Sequence, residues 1–196
     1  MPADAPTILA TSGGRIPGRR TQWVAGPLTA YAVELARVSV RRPRVCFLAT
    51  ALGDSAAVLL AMWRLHGLDT VMREVWEAGV VLTGVSAGSI CWHVGGPTDS
   101  FGPELRPITN GLGLLPYANG VHYDSEEQRR PLLHRLVAAG ALPMAYATDD
   151  GVGLHYRGTE LVEALTELPG KGAYRVERGP DGQAVETRIE PGLLTP

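Results

Sequence analysis

The sequence lacks what several protein classes require. Its 196 residues include two cysteines, Cys46 and Cys91, too few for a disulfide framework or a cysteine metal site. Both lie in apolar stretches and read as buried thiols. The formal net charge is −2, which leaves no electrostatic case for nucleic acid or an anionic membrane as partner. No apolar run is long enough to cross a bilayer, and the first residues lack the apolar core of a secretion signal, so a cytoplasmic protein is expected. Repeats, heptads and low-complexity stretches are also missing. What remains is 45% hydrophobic and 19% charged, suited to one α/β domain over residues 1–196 with a sizeable core. The 24 glycines and 15 prolines fit many tight strand–helix junctions.

The chain is organised around Val80–Trp92, VVLTGVSAGSICW. Val80, Val81 and Leu82 read as a buried strand. Gly84-Val85-Ser86-Ala87-Gly88 is a G-x-S-x-G sequence, and Ala87 to Val94 reads as a helix stopped by Gly95-Gly96-Pro97. Strand, tight turn with serine, then helix is the context of a nucleophile elbow. The helix start behind Ser86 offers N–H groups to a developing oxyanion, with Ala87 N–H the natural first donor. The plain structural alternative is a glycine turn that packs a helix on a sheet, with Ser86 incidental.

Around this stretch the pattern alternates between strands and helices. Thr7–Ala10 reads as a strand, Arg15–Arg20 as a basic loop and Pro27–Val38 as a helix with Leu28, Tyr31, Ala32, Leu35 and Ala36 at helical spacing. Arg44–Thr50 reads as a second buried strand. Ala56–His66 reads as a helix with Leu59, Leu60, Trp63 and Leu65 inward; a second helix is capped by Asp69 and buries Val71 and Val75. Two successive helices before the elbow strand are unusual, because parallel neighbours are joined by single crossovers. Gly95–Asn119 is loop-rich. Gly120–Tyr123 reads as a short strand ending near His122, followed by a helix capped at Asp124 or Ser125 and delayed or kinked by Pro131. Met144–Thr148 is a strand leading to Asp149-Asp150-Gly151. Two hairpins follow, Val152–Tyr156 with Thr159–Ala164, and Ala173–Arg178 with Ala184–Ile189.

A serine hydroxyl needs a base. Of the five histidines, His66 and His134 lie on helices, His155 alternates within a hairpin strand, and His93 is too close to Ser86 to turn back onto it. His122 stands at a strand end, where open α/β sheets gather their ligand sites; a hydrogen-bonded histidine at the sheet edge fits equally well. The orienting acid is expected from a neighbouring strand end. Asp149-Asp150-Gly151 is one, although paired aspartates before glycine are ordinary turn chemistry, and Asp99 and Asp124 are rivals. The resulting order, Ser, His, Asp, differs from the Ser, Asp, His order of lipase-like hydrolases.

GVSAGSICWH with the following Thr98-Asp99, then HYDSEEQR, then DDG, resembles the peptidase E family of serine peptidases, which includes aspartyl dipeptidase and is related to cyanophycinase. The resemblance runs from about Thr7 to the C-terminus. It implies a doubly wound, mostly parallel, flavodoxin-like sheet similar to class I glutamine amidotransferases, no metal and no cofactor, and a homodimer. It implies Ser86 as nucleophile, His122 as base and Asp150 as acid. It also implies an oxyanion and substrate site of Ala87, Gly88 and Asp99. Two departures stand out. The segment after the histidine, Asp124–Gln128, is acidic and lacks the arginine associated with selecting an N-terminal Asp; Arg129 and Arg130 come after it. A strand and Gly-Gly-Gly loop that precede the helix matching Ala56–His66 are missing. A break is therefore expected between Leu52 and Ala57, with one Cα–Cα step well above the ~3.8 Å of a bonded pair.

The expected activity is hydrolysis of short peptides, most simply dipeptides, through a Ser-His-Asp triad and an acyl-enzyme. An amidase or acyltransferase acting on a non-peptide substrate, and an inactive binding protein of the same fold, are the alternatives.

Overall fold

Thr7–Thr11 forms strand β1 and is buried at every residue, as an apolar and β-branched run must be when covered on both faces. The computed structural model describes residues 3–19, 21–38, 42–46, 48 and 56–195. Beyond β1 the chain turns through Ser12-Gly13-Gly14 into a hairpin of β2 (Arg15–Pro17) and β3 (Trp23–Ala25), where a loop is expected from sequence. Pro27 opens helix α1 (Pro27–Leu35), a position where its missing N–H costs nothing.

The strand expected over Arg44–Thr50 is not found in its described part. Residues 42–46 and 48 carry no regular structure, and Val45 and Cys46 are exposed. An apolar run becomes a strand only where a neighbour takes its hydrogen bonds, and no ladder among the described residues includes it. Phe47, Ala49 and Thr50, and the expected break between Leu52 and Ala57, lie outside the described residues.

Helices α2 (Ala56–Leu65) and α3 (Leu68–Glu77) follow in succession, joined at Gly67 with φ 69°. Leu60, Trp63, Met72 and Trp76 face the core, while Leu65 and Val71, expected inward, are exposed. Pairs at i, i+3 and i, i+4 suffice for one buried stripe, and Leu65 and Val71 fall off it. Gly67 rather than Asp69 caps α3. Strand β4 (Leu82–Val85) lies parallel to β1, from Ile8 opposite Leu82 to Thr11 opposite Val85. Helix α4 is a single turn, Ala87–Ile90, shorter than the helix expected to Val94. The returning loop ends it: Leu112, Leu115 and Gly113 N–H groups take the carbonyls of Cys91, Trp92 and His93 that a longer helix would have used itself.

The loop-rich region holds a small hairpin, β5 (Gly96–Thr98) with β6 (Arg106–Ile108). Strand β7 (Ala118–Gly120) precedes His122, and helix α5 spans Arg129–Ala138. Strands β8 (Ala145–Thr148), β9 (Val152–Arg157), β10 (Glu160–Thr166), β11 (Ala173–Arg178), β12 (Ala184–Ile189) and β13 (Gly192–Leu193) complete the chain. The fold is mixed α/β. One sheet has the order β13-β10-β9-β1-β4 and the other β12-β11-β8-β7. Pairing is parallel for β1–β4, β7–β8 and β10–β13 and antiparallel in the other ladders. Leu60, Trp63 and Met72 of α2 and α3 belong to one core cluster with Ile8 and Leu82, and Leu133 and Val137 of α5 to a second with Ala145 and Val176. The C-terminal ends of β1 and β4 in the first sheet and of β7 and β8 in the second matter below.

Candidate active site

Ser86 bridges β4 and α4 with φ 58° and ψ −121°. A non-glycine residue at positive φ stores strain of order 1–3 kcal/mol and persists only when its surroundings hold it. Here Ser86 N–H donates to Thr11 O at 3.1 Å, and Ser86 O accepts from Ser89 N at 2.8 Å and Ile90 N at 3.1 Å. Gly84 makes the crossing possible: a Cβ there would lie 1.9 Å from Gly88 O. Ser86 makes no side-chain capping bond to α4. Among the described residues, the Ala87 and Gly88 N–H groups have no acceptor. A one-turn helix has almost no macrodipole, so these two donors, rather than a dipole end, are what the turn offers an oxyanion. Cys91, next on the same segment, is no competing nucleophile: burial pushes its thiol far up.

His122 also stands at positive φ, 52°. Its N–H donates to Ser12 Oγ at 3.3 Å, and Ser12 Oγ is 2.6 Å from Thr148 Oγ1. Tyr123 N–H donates to Thr148 O at 3.1 Å. Because β7 and β8 are parallel neighbours, the residues leaving their ends lie side by side. His122 Nδ1 is 2.5 Å from Asp150 Oδ1, whereas no hydrogen bond joins the Ser86 hydroxyl to the ring. A carboxylate only accepts, so Nδ1 carries the proton and Nε2 is left to act as a base. The two side chains are 25% and 38% exposed, which leaves them open to a ligand. Ser86 and His122 follow strands of different sheets and are tied to consecutive residues of one segment: Thr11 O holds the Ser86 N–H and Ser12 Oγ the His122 N–H, while Ser12 O accepts from Gly151 N at 3.0 Å.

The rival acids go elsewhere. Asp149 is buried, and its Oδ2 accepts from Gly172 N at 2.8 Å and Tyr174 OH at 3.2 Å. Asp124 accepts from Asp150 N at 2.9 Å through Oδ1 and pairs with Lys171 through Oδ2. Burial opposes the Asp124 carboxylate, but Lys171 and the Asp150 N–H outweigh it and hold its pKa below the usual value. The helix cap expected at Asp124 or Ser125 does not form: the cap position is Gln128, and the Asp124 carboxylate is committed to Asp150 and Lys171. Helix α5 starts later, with Pro131 in its first turn, where the ring is tolerated. Asp99 lines an open cavity of about 390 Å³ with Pro103, Leu105, Glu126, Glu127 and Gln128. Glu126 N–H donates to His122 O at 3.0 Å, so this cavity begins one turn beyond His122. Buried Arg129 ties the same turn to β5 through Pro97 O and Glu126.

Of the remaining histidines, His66 is exposed past the end of α2 and the other three have structural partners. His93 is fully buried on Ser89 O, His134 bonds Glu186, and His155 sits between Tyr31 and Glu163. Sequence reasoning missed Ser12, Thr148 and Lys171. The Thr11-Ser12-Gly13-Gly14 turn at the end of a buried strand was a usable signal; Lys171, in a loop far along the chain, offered none. Among the described residues no group of His, Cys, Asp and Glu is arranged to hold a metal, and no helix is long and apolar enough to cross a membrane.

Residues 51–164 match the model of peptidase family S51. The chain is 42% identical over 124 residues to an uncharacterized peptidase, YgaJ, of Bacillus subtilis (strain 168), an alignment that covers 63% of this chain and 53% of the relative. The chain thus spans about half the length of the curated relative it matches.

Proposed function

The chain belongs to peptidase family S51, and from that premise we propose that it is a serine exopeptidase that hydrolyses short peptides, most simply dipeptides. Ser86 attacks the peptide carbonyl, His122 Nε2 takes the Ser86 proton, and Asp150 holds the Nδ1–H and stabilises the imidazolium. The Ala87 and Gly88 N–H groups stabilise the oxyanion. The imidazolium returns its proton to the leaving amine, and water then releases the acyl group. A doubly wound, flavodoxin-like arrangement, a homodimer and a cytoplasmic setting complete the reading; the family resemblance supports the first two. The observation that carries it is the 2.5 Å contact between His122 Nδ1 and Asp150 Oδ1, tied through the Thr11-Ser12 segment to a strained serine followed by two unused donors.

A fluorophosphonate probe and a dipeptide library test this reading together. Wild type is expected to take label at Ser86 and to cleave a subset of dipeptides. Ser86→Ala is expected to lose label and at least ~10³-fold in kcat with an unchanged fold. Near-wild-type cleavage by Ser86→Ala would sink the serine mechanism. Labelling at Ser86 with turnover of simple amides or esters but no dipeptide would move the substrate to the amidase class.

A further inference from the structure

We infer that Asp124 is a positioning residue, locked by Lys171, that sets the distance between the His122 ring and the Asp150 carboxylate; the inference rests on the serine-peptidase reading above. Asp124 stands two residues after His122, on the same turn. Its Oδ1 accepts the Asp150 N–H at 2.9 Å, and its Oδ2 is paired with Lys171 Nζ. The side chain therefore spans from the segment that carries the base to the backbone of the residue that supplies the acid. The β7–β8 ladder ends at Gly120 opposite Ala147, and the backbone bond beyond it, Tyr123 N–H to Thr148 O at 3.1 Å, stops short of Asp150. The bond made there, His122 Nδ1 to Asp150 Oδ1 at 2.5 Å, requires a fixed separation, and both of its side chains are part-exposed, so packing alone does not impose it.

Lys171 explains why an aspartate serves. It comes from the loop between β10 and β11 and pairs with Asp124, and the charges of Asp149 and Asp150 add to those that favour its ammonium form. A carboxylate that must hold one rotamer beside two others of the same charge needs a counter-ion, and the ammonium fixes Oδ2 so that Oδ1 stays aimed at the Asp150 N–H. His122 is thus clamped on both sides, by Ser12 Oγ on its own N–H and by Asp124 through Asp150. Small displacements at a proton-transfer site cost much more rate than binding.

The test measures fluorophosphonate labelling of Ser86 as kinact and KI, with thermal midpoints recorded on the same samples. The serine attacks phosphorus, fluoride leaves, and His122 takes the serine proton, so kinact reports how well the base is poised. Asp124→Ala is expected to lower kinact about 100-fold and Lys171→Met about tenfold, with KI unchanged; Lys171→Arg should restore kinact to within about threefold of wild type. Asp124 and Lys171 are 26% and 31% exposed, so these variants are expected to fold; should Asp124→Ala fail to, the Lys171 pair carries the test. A labelled wild type with unchanged kinact in Lys171→Met and in folded Asp124→Ala would overturn this inference alone. A loss confined to KI, or one that Lys171→Arg does not restore, would overturn it too. A wild type that takes no label would overturn the serine reading and this inference with it.

Discussion

Asp149 and Asp150 leave the end of β8 in opposite directions. Asp150 reaches the His122 ring; Asp149 turns inward to the Gly172 N–H and the Tyr174 hydroxyl. Asp150→Asn removes the charge that stabilises the imidazolium and offers Nδ1 an NH2 donor that selects the wrong His122 tautomer, so kcat is expected to fall ~10³- to 10⁴-fold while the thermal midpoint stays within a few degrees, because the side chain is part-exposed. Asp149 behaves differently. Burial pushes its carboxyl up, against the Gly172 N–H, so its ionised form is disfavoured in the folded state. The stability it contributes is present below its unfolded value and lost as pH rises through the higher folded value. Asp149→Asn keeps an acceptor for Gly172 and Tyr174 and removes the buried charge. It is expected to leave kcat within about threefold of wild type, whereas Asp149→Ala, which orphans the Gly172 N–H, is expected to cost about 1–3 kcal/mol in urea unfolding.

At the scale of elements, the turn between β4 and α4 is the junction with least tolerance. Gly84→Ala would put a methyl 1.9 Å from Gly88 O and 2.9 Å from Trp92 Nε1, contacts that no rotamer relieves. It is expected to abolish fluorophosphonate labelling and lower the thermal midpoint. Gly67→Ala, at the α2–α3 junction, is the control. Nothing lies within 4 Å of its added Cβ, and only the φ of 69° is unfavourable, a cost of about 1–2 kcal/mol that should leave labelling intact. The same contrast explains which elements were legible beforehand. β11 and β12 have the bounds expected from sequence, Ala173–Arg178 and Ala184–Ile189, because their alternation is bracketed by a Gly-Pro-Asp-Gly turn. β2, β3, β5 and β6 span three residues each, too few to show a period, and they exist because a partner strand is present.

For the molecule as a whole, His93 ties stability to pH. It is fully buried, with Nδ1 on Ser89 O and, among the described residues, no partner for Nε2. Burial pushes its pKa down to about 4 from 6.5, against the pull of Ser89 O. The folded state therefore binds fewer protons than the unfolded chain between these values. This stability is fully present above about pH 6.5 and is lost as pH falls through 4, with a size of about 3 kcal/mol. Urea midpoints measured from pH 7 to pH 4 are expected to fall more steeply in wild type than in His93→Gln, which keeps a donor for Ser89 O but cannot take a proton. Equal slopes would mean that His93 does not govern the acid limb.

What the sequence by itself determined is what local chemistry determines. The α/β alternation follows from hydrophobic period, the elbow turn from a strand meeting Gly-x-Ser-x-Gly, and the late start of α5 from Pro131. The candidate residues Ser86 and His122 were legible because each stands at or just past a strand end, whereas Asp150 was singled out from Asp99, Asp124 and Asp149 by the family resemblance. Only the tertiary structure decided how such ends meet. It sent Asp149 inward and Asp150 to His122, spent Asp124 on the Asp150 N–H instead of a helix cap, and stopped α4 after one turn by bringing Leu112, Leu115 and Gly113 to the carbonyls of Cys91, Trp92 and His93 that follow it. It also left Cys46 exposed, although its apolar run reads as a core strand. A strand or a cap is complete only when a distant group supplies the matching donor or acceptor, and that partner is chosen by the fold rather than by neighbours along the chain.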